Sequence, residues 1–129
     1  MRSNQSQFRQ FLPVLLALLA VLVFLPAAAL AHAFLDRSEP KVGSEVAKAP
    51  TEVRIKFTQA LEPAFSKIEV KDKNGKAVDK KDTHLDPQDK QSLIVSLEAL
   101  PPGVYTVSWH VVSVDTHPTR GDFKFTVKS

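Results

Sequence analysis

Residues 105–112 read YTVSWHVV, and their alternation decides the fold. Large apolar side chains recur at every second position of this stretch, at Tyr105, Val107, Trp109 and Val111. Successive side chains of a β-strand point to opposite faces of its sheet, so this period is typical of a strand with one buried face. The stretch therefore predicts the longest strand of the chain, with one row of its side chains in a hydrophobic core.

Four other segments alternate with the same period and predict further strands. They are TEVRIKF at 51–57, SKIEVK at 66–71, SLIVSL at 92–97 and DFKFTV at 122–127. No window of eleven residues has a convincing 3.6-residue period, so we expect little helix. About seven short strands in one domain predict an all-β, immunoglobulin-like fold, either a Greek-key β-barrel or a sandwich.

Aromatic residues and a turn signal complete the expected fold. The bulk of the predicted core comes from the side chains of Phe34, Phe57, Phe65, Tyr105, Trp109, Phe123 and Phe125.

Asn74-Gly75 predicts a two-residue hairpin loop of type I′, because this turn needs positive φ at both central positions and these two residues tolerate it.

The composition excludes several classes of protein. The chain has no cysteine and one methionine, Met1, which excludes disulfide scaffolds, zinc–thiolate sites, iron–sulfur clusters and cysteine nucleophiles. Two of the 17 basic residues, Arg2 and Arg9, lie near the start, so residues 32–129 hold 15 basic and all 14 acidic residues. This part of the chain is therefore nearly neutral, and we expect no nucleic-acid binding. The chain has neither a nucleophile elbow nor a glycine-rich phosphate loop, so we expect neither a hydrolase nor a nucleotide-binding protein, and the leading hypothesis below is not an enzyme.

Residues 1–31 predict a secretory signal peptide. A polar start with two arginines leads into an uncharged apolar run, which closes with Ala29-Leu30-Ala31, small residues at the positions that a signal peptidase recognises. An uncleaved membrane anchor is the alternative, since a run of this length could span a bilayer. Cleavage after Ala31 would release residues 32–129 as an exported domain with no stable membrane insertion, and His32 would be its first residue.

His32 is then a candidate metal ligand, because a first residue of this type offers two donors. Its free α-amino nitrogen and its imidazole Nδ1 could close a chelate ring on one ion. The segment Asp115-Thr116-His117 offers two more donors, since residues i and i+2 of extended backbone project from the same face, about 6.6 Å apart along the strand. The competing interpretations are a frayed terminus for His32 and an ordinary exposed turn for the second segment.

Together these residues provide one amine, two imidazoles and one carboxylate. Tetragonal coordination by nitrogen and oxygen suits Cu(II), which leads the divalent affinity order, while zinc and nickel remain alternatives for the same donors. The missing sulfur disfavours Cu(I), which prefers thiolate and thioether ligands. Of the other histidines, His110 is either a group that orients Asp115 or a half-buried sheet residue, and His84 is expected at the surface.

Four segments of the chain resemble the CopC family of periplasmic copper-resistance proteins. They are His32 directly after ALA, EPAFSKIEV at 62–70, LPPGVYTVSW at 100–109 and VVSVDTHPTRGDFKFTV at 111–127. The resemblance implies a periplasmic Greek-key β-barrel or sandwich that binds one Cu(II) ion per chain through His32, Asp115 and His117. It also implies a partnership with an inner-membrane copper protein of the CopD type.

The sequence departs from the family pattern at points that bear on copper. It lacks the methionine-rich loop of members that also bind Cu(I), so it resembles a Cu(II)-only member, and Thr116 stands where the family often has glycine. The leading hypothesis is a monomeric Cu(II) carrier or buffer in copper homeostasis and resistance. The alternatives are a copper oxidase or monooxygenase with a histidine brace, and a structural sandwich module that binds no metal.

Overall fold

The computed structural model describes residues 32–129, and the predicted signal peptide lies outside the described residues. Over this range all regular secondary structure is β-strand, apart from one 3₁₀ turn at Pro63–Phe65. The described range contains no helix that is long and apolar enough to cross a membrane. The predicted all-β class is confirmed.

Eight strands form two four-stranded sheets. In chain order they are β1 (Leu35–Glu39), β2 (Glu45–Val46), β3 (Glu52–Phe57), β4 (Lys67–Lys71), β5 (His84–Asp86), β6 (Asp89–Ser96), β7 (Gly103–Val112) and β8 (Pro118–Val127). One sheet has the order β1-β3-β6-β5 and the other the order β2-β8-β7-β4, so the chain crosses repeatedly between the sheets. Neighbouring strands are antiparallel except β2 and β8, which are parallel. The architecture is the predicted Greek-key, immunoglobulin-like sandwich.

The core lies between the sheets and follows the period-two pattern of the sequence. The inward positions of β3, β7 and β8 are buried at Val53, Ile55, Phe57, Tyr105, Val107, Val111, Phe123, Phe125 and Val127. Phe57 of one sheet meets Trp109 of the other edge-to-face, with 5.1 Å between the ring centroids. Burial of such side chains is the main stabilising contribution, about 1.5–3 kcal/mol for each large apolar residue.

Two residues of the predicted core, Phe34 and Phe65, are instead exposed, by 55% and 66%. Ala33 takes the fully buried position before β1, and the alternation of the backbone then turns Phe34 outward. Phe65 ends the 3₁₀ turn, none of whose residues is buried, and the inward side chain of that segment is Leu61. The prediction is wrong for Phe34 because the core uses the adjacent residue, Ala33, and for Phe65 because the core uses Leu61, earlier in the same connecting segment.

Asn74-Gly75 marks a turn, but the predicted type I′ geometry is wrong. Of the two residues only Gly75 has a positive φ, at 80°. The Gly75 N–H donates to the Asp72 carbonyl, and the Asp72 carboxylate accepts the N–H groups of Asn74 and Lys76 at 2.9 and 3.0 Å. The Asp72 side chain thus stabilises a longer loop that ends with Gly75 in the left-handed conformation, as in three-residue hairpin loops.

Three connecting segments meet at one end of the sandwich: residues 32–34, 58–66 and 113–117. β3 and β7 end there, and β1, β4 and β8 begin there. The Glu62 N–H donates to the Val112 carbonyl at 2.8 Å, which joins the second segment to the end of β7. We refer to this region as the 113–117 end.

We predict that G121A destabilises the fold, because Gly121 lies opposite Trp109 in the β7–β8 ladder. A Cβ at this position would lie 2.6 Å from Trp109 Cζ2, so the indole must shift from the position in which it packs against Phe57. We expect the free energy of unfolding to fall by about 1–3 kcal/mol. Urea titration followed by the fluorescence of Trp109, the one tryptophan of the chain, measures this loss.

S108A is the matched control, because Ser108 is exposed on the neighbouring position of β7. Its midpoint should stay close to that of the parent protein. Equal urea midpoints for G121A and S108A would contradict the prediction.

Candidate metal centre

The loop between β7 and β8, residues 113–117, carries both residues of the predicted Asp-x-His motif. The Ser113 N–H donates to the His117 carbonyl at 3.1 Å, and the Thr116 N–H donates to the Ser113 carbonyl at 2.8 Å. These bonds close the segment into a tight loop, with Asp115 and His117 exposed on its surface. Both candidate ligands therefore face solvent on a backbone that is itself hydrogen-bonded.

The prediction that Asp115 and His117 project from extended backbone is wrong. Thr116 between them has a φ of 70°, in the left-handed region, so the backbone turns at this point. A β-branched residue seldom adopts this conformation because its side chain crowds the backbone. The turn still brings Asp115 Oδ1 to 3.5 Å from His117 Nδ1, so the two side chains lie side by side.

His32 lies next to the same loop, although it is distant in sequence. Its ring centroid is 4.9 Å from the ring centroid of His117, and the two ring planes meet at 70°. Since the carboxylate of Asp115 flanks the His117 ring, the fold places all three predicted ligand residues at the 113–117 end.

Two hydroxyl groups hold the segment that carries His32. The Thr119 hydroxyl of β8 donates to the Ala33 carbonyl at 2.6 Å. The Thr58 hydroxyl accepts the Phe34 N–H at 3.0 Å and lies 3.4 Å from the His32 carbonyl. The segment is thus attached to both sheets, which fixes where the His32 side chain leaves the backbone.

Asp115 is kept anionic by its surroundings. The hydrogen bond from the Ser113 hydroxyl is the main cause that holds the pKa of the Asp115 carboxyl below its ordinary value, and the His117 ring adds a smaller effect in the same direction. An Asp carboxyl is ionised at neutral pH, so Asp115 places a negative charge beside the His117 imidazole, which favours the binding of a divalent cation.

Within residues 32–129 no three side chains of His, Cys, Asp or Glu already surround a common point at metal-binding distance. In the full chain the His32 nitrogen is bonded to Ala31, so the fourth predicted donor, a free α-amino group, arises only after cleavage. The three candidate side chains therefore lie close together without surrounding one point. To enclose one ion they would have to rotate, and cleavage would have to release the α-amino group of His32.

The two remaining histidines lie apart from this group. His84 is exposed, as predicted, and its Nδ1 lies 2.7 Å from the Asp82 carbonyl. His110 is exposed between Lys67 of β4 and Arg120 of β8, so the expectation of a half-buried residue is wrong. The hydroxyl of Ser113, rather than His110, donates a hydrogen bond to Asp115.

Sequence reasoning missed Ser113, Thr58 and Thr119, which fix the candidate ligands without being ligands. Ser113 offered a weak signal, since a hydroxyl residue two positions before an Asp can hydrogen-bond its side chain. Thr58 and Thr119 offered none, because their partners lie 24 and 86 residues away in sequence.

Comparison with known proteins identifies the family of this chain. Residues 35–128 match the family model of the CopC domain. The chain belongs to the CopC family. Among relatives of this CopC protein, copper resistance protein C of Escherichia coli is 36% identical over 110 residues, which cover 78% of this chain and 85% of that protein. Copper transport protein CutJ of Bacillus subtilis is 38% identical over 111 residues, and the match covers 85% of this chain but 20% of CutJ.

Solved structures show the same fold. CopC from Methylosinus trichosporium OB3b superposes with a TM-score of 0.71 at 32% identity, covering 75% of this chain and 94% of that one. PcoC, described as a methionine-rich copper resistance protein from Escherichia coli, gives a TM-score of 0.67 at 34% identity and covers 76% of this chain and 100% of that one. The single methionine of this CopC protein is Met1, so its described part differs from PcoC in sulfur content.

The family membership confirms the resemblance seen in the sequence and ties the chain to copper. CutJ and copper resistance protein C are named for copper transport and copper resistance, and, as a member of the CopC family, this protein is not an enzyme. The alternatives of a copper oxidase or monooxygenase and of a metal-free structural module therefore lose their basis.

We predict that T116G stabilises the protein, because glycine adopts a φ near 70° without side-chain strain. Left-handed backbone costs a non-glycine residue about 1–2 kcal/mol, and the extra entropy of glycine in the unfolded chain offsets part of the gain. We expect the free energy of unfolding, from urea titration without copper, to rise by about 0.5–1 kcal/mol. T116A keeps a Cβ in the same conformation and should not show this gain. A lower stability of T116G than of the parent would contradict the prediction.

Proposed function

We propose that residues 32–129 act in the periplasm as a monomeric carrier or buffer that holds one Cu(II) ion per chain. The ligands are the α-amino nitrogen and imidazole of His32, the carboxylate of Asp115 and the imidazole of His117. The observation that carries this proposal is the 4.9 Å separation between the two imidazole rings. Because metal–imidazole bonds are about 2.0–2.1 Å long, rings at this separation can reach one ion after side-chain rotation.

The chemistry of the donors supports Cu(II) over other ions. Three nitrogens and one carboxylate oxygen suit the tetragonal geometry of Cu(II), and Cu(II) binds such sets more tightly than zinc or nickel. No sulfur ligand is available in residues 32–129 to stabilise Cu(I). The site should therefore hold the oxidised ion.

The exposure of the ligands supports transfer of copper rather than a reaction on it. The side chains of His117 and Asp115 are 51% and 41% exposed, so an ion held there remains accessible to another protein. The Asp115 carboxylate would also occupy a coordination position that a copper oxidase needs for oxygen. Both features favour a carrier.

The protein that exchanges copper with this carrier is proposed to be an inner-membrane copper protein of the CopD type. In CutJ, which is named as a copper transport protein, the region that matches this chain makes up 20% of the length. A domain similar to this one is thus covalently joined to a much longer chain in that relative. That relative therefore supports a functional link between a domain of this kind and a longer copper transport protein.

Export is proposed to complete the copper site. The His32 nitrogen is an amide until the signal peptide is removed, and an amide nitrogen is a poor ligand at neutral pH. Cleavage after Ala31 converts it to an amine whose ordinary pKa is about 7.7–8.0, which a metal ion can deprotonate readily. Copper would therefore bind tightly only to the exported chain.

We predict that H117A weakens Cu(II) binding by about a hundredfold or more, because loss of a direct ligand should exceed the effect of an outer-shell change. Competition with a chelator of known Cu(II) affinity measures the dissociation constant. H84A is the matched control, since His84 is an exposed histidine away from the 113–117 end, and its affinity should equal that of the parent. Equal affinities of H117A and H84A would refute the proposed ligand set.

We predict that a protein retaining Ala31 before His32 binds Cu(II) about a hundredfold more weakly than one that starts at His32, since the α-amino chelate is lost. The Cu(II) EPR spectrum should also show one nitrogen ligand fewer. The matched control carries the extra alanine after Ser129, so that its composition is the same. Intact mass of the exported protein should give a first residue of His32. Unchanged affinity of the extended protein would show that the amine is not a ligand.

A further inference from the structure

Ser113 contacts both candidate ligand residues of the loop. Its side chain is fully buried, with 0% of the residue exposed, and its hydroxyl donates to Asp115 Oδ1. The same oxygen accepts the His117 N–H at 3.3 Å. One buried hydroxyl therefore links the carboxylate of one candidate ligand to the backbone of the other.

The backbone of Ser113 is fixed more firmly than the side chains it contacts. It pairs with Leu61 in an isolated β-bridge, and the next residue, Val114, donates its N–H to the Ala60 carbonyl at 3.0 Å. Asp115, in contrast, has an exposed side chain that would sample several rotamers. A hydrogen bond from a fixed hydroxyl to a carboxylate is charge-assisted and directional, so it restricts this freedom.

We propose that Ser113 is a positioning residue of the copper site, which holds the Asp115 carboxylate in the orientation that faces His117. The inference rests on the proposed function, because it assigns a role toward the same ion. Ser113 does not bind copper itself. It lowers the cost of ordering Asp115 when the ion binds, in the way that hydrogen-bonded outer groups orient the ligands of other metal sites.

S113A tests this role, since it removes the hydroxyl and leaves a side chain of nearly the same size. We expect Cu(II) affinity to fall by about 10- to 100-fold, measured by chelator competition. S66A is the matched control: Ser66 is another buried serine at the 113–117 end, and its hydroxyl donates to the Glu62 carbonyl at 2.7 Å and accepts the Val112 N–H at 3.1 Å. It contacts neither candidate ligand, so S66A should keep the parent affinity.

A double-mutant cycle with D115A separates positioning from a general effect on the loop. If Ser113 acts through Asp115, adding S113A to D115A should change the affinity by less than about threefold. The Cu(II) EPR spectrum of S113A should shift toward that of D115A, whereas that of S66A should match the parent. A loss of affinity from S113A that is equally large in the D115A background would overturn the proposal.

The outcomes also separate this inference from the proposed function. If D115A binds Cu(II) as tightly as the parent, the proposed ligand set fails and this inference fails with it. If D115A weakens binding but S113A does not, only the role of Ser113 is wrong.

A measurement on D115A alone covers the case in which S113A does not fold. The Ser113 hydroxyl proton should exchange with solvent more slowly in the parent than in D115A, by NMR without copper. Equal exchange in the two proteins would refute the hydrogen bond on which the role depends.

Discussion

The position of His32 depends on Ala33. Ala33 is completely buried, and its carbonyl accepts the hydroxyl of Thr119, a residue 86 positions later in the chain. Its methyl group is small enough for the chain to lie close against the start of β8. Because Ala33 is held there, the residue before it must emerge beside His117. The candidate copper site thus depends on a contact between the segment before β1 and the start of β8, the last strand of the domain.

The fold could be predicted where side-chain burial alternates with the two-residue period of a β-strand. In β3, and along most of β7 and β8, every second side chain is buried, so alternation in the sequence translates directly into one face of a sheet. The prediction for Phe34 and Phe65 is wrong because hydrophobicity does not say which of several nearby positions the backbone turns inward. At Asn74-Gly75 the deciding group was the Asp72 carboxylate, which made a longer loop more favourable than the turn that the dipeptide alone prefers.

The sequence predicted candidate ligands that the fold brings close together, but it did not predict their geometry. Donor chemistry selects His32, Asp115 and His117 from the sequence, and the fold brings them to one end. The prediction of extended backbone failed because Thr116 adopts a left-handed conformation that its residue type disfavours. The role of Ser113 could not be predicted for a different reason: the burial of its hydroxyl and the groups that it contacts are properties of the folded chain.

Each of the two sheets has one short edge strand. β2 and β5 contain two and three residues, and the opposite edges, β4 and β1, contain five each. An open sheet edge is a template on which another chain can add a strand, and its strength as a template grows with the number of free backbone groups in a row. β2 and β5 offer few such groups to a neighbouring molecule. Strand addition by a second copy is therefore restricted at one edge of each sheet.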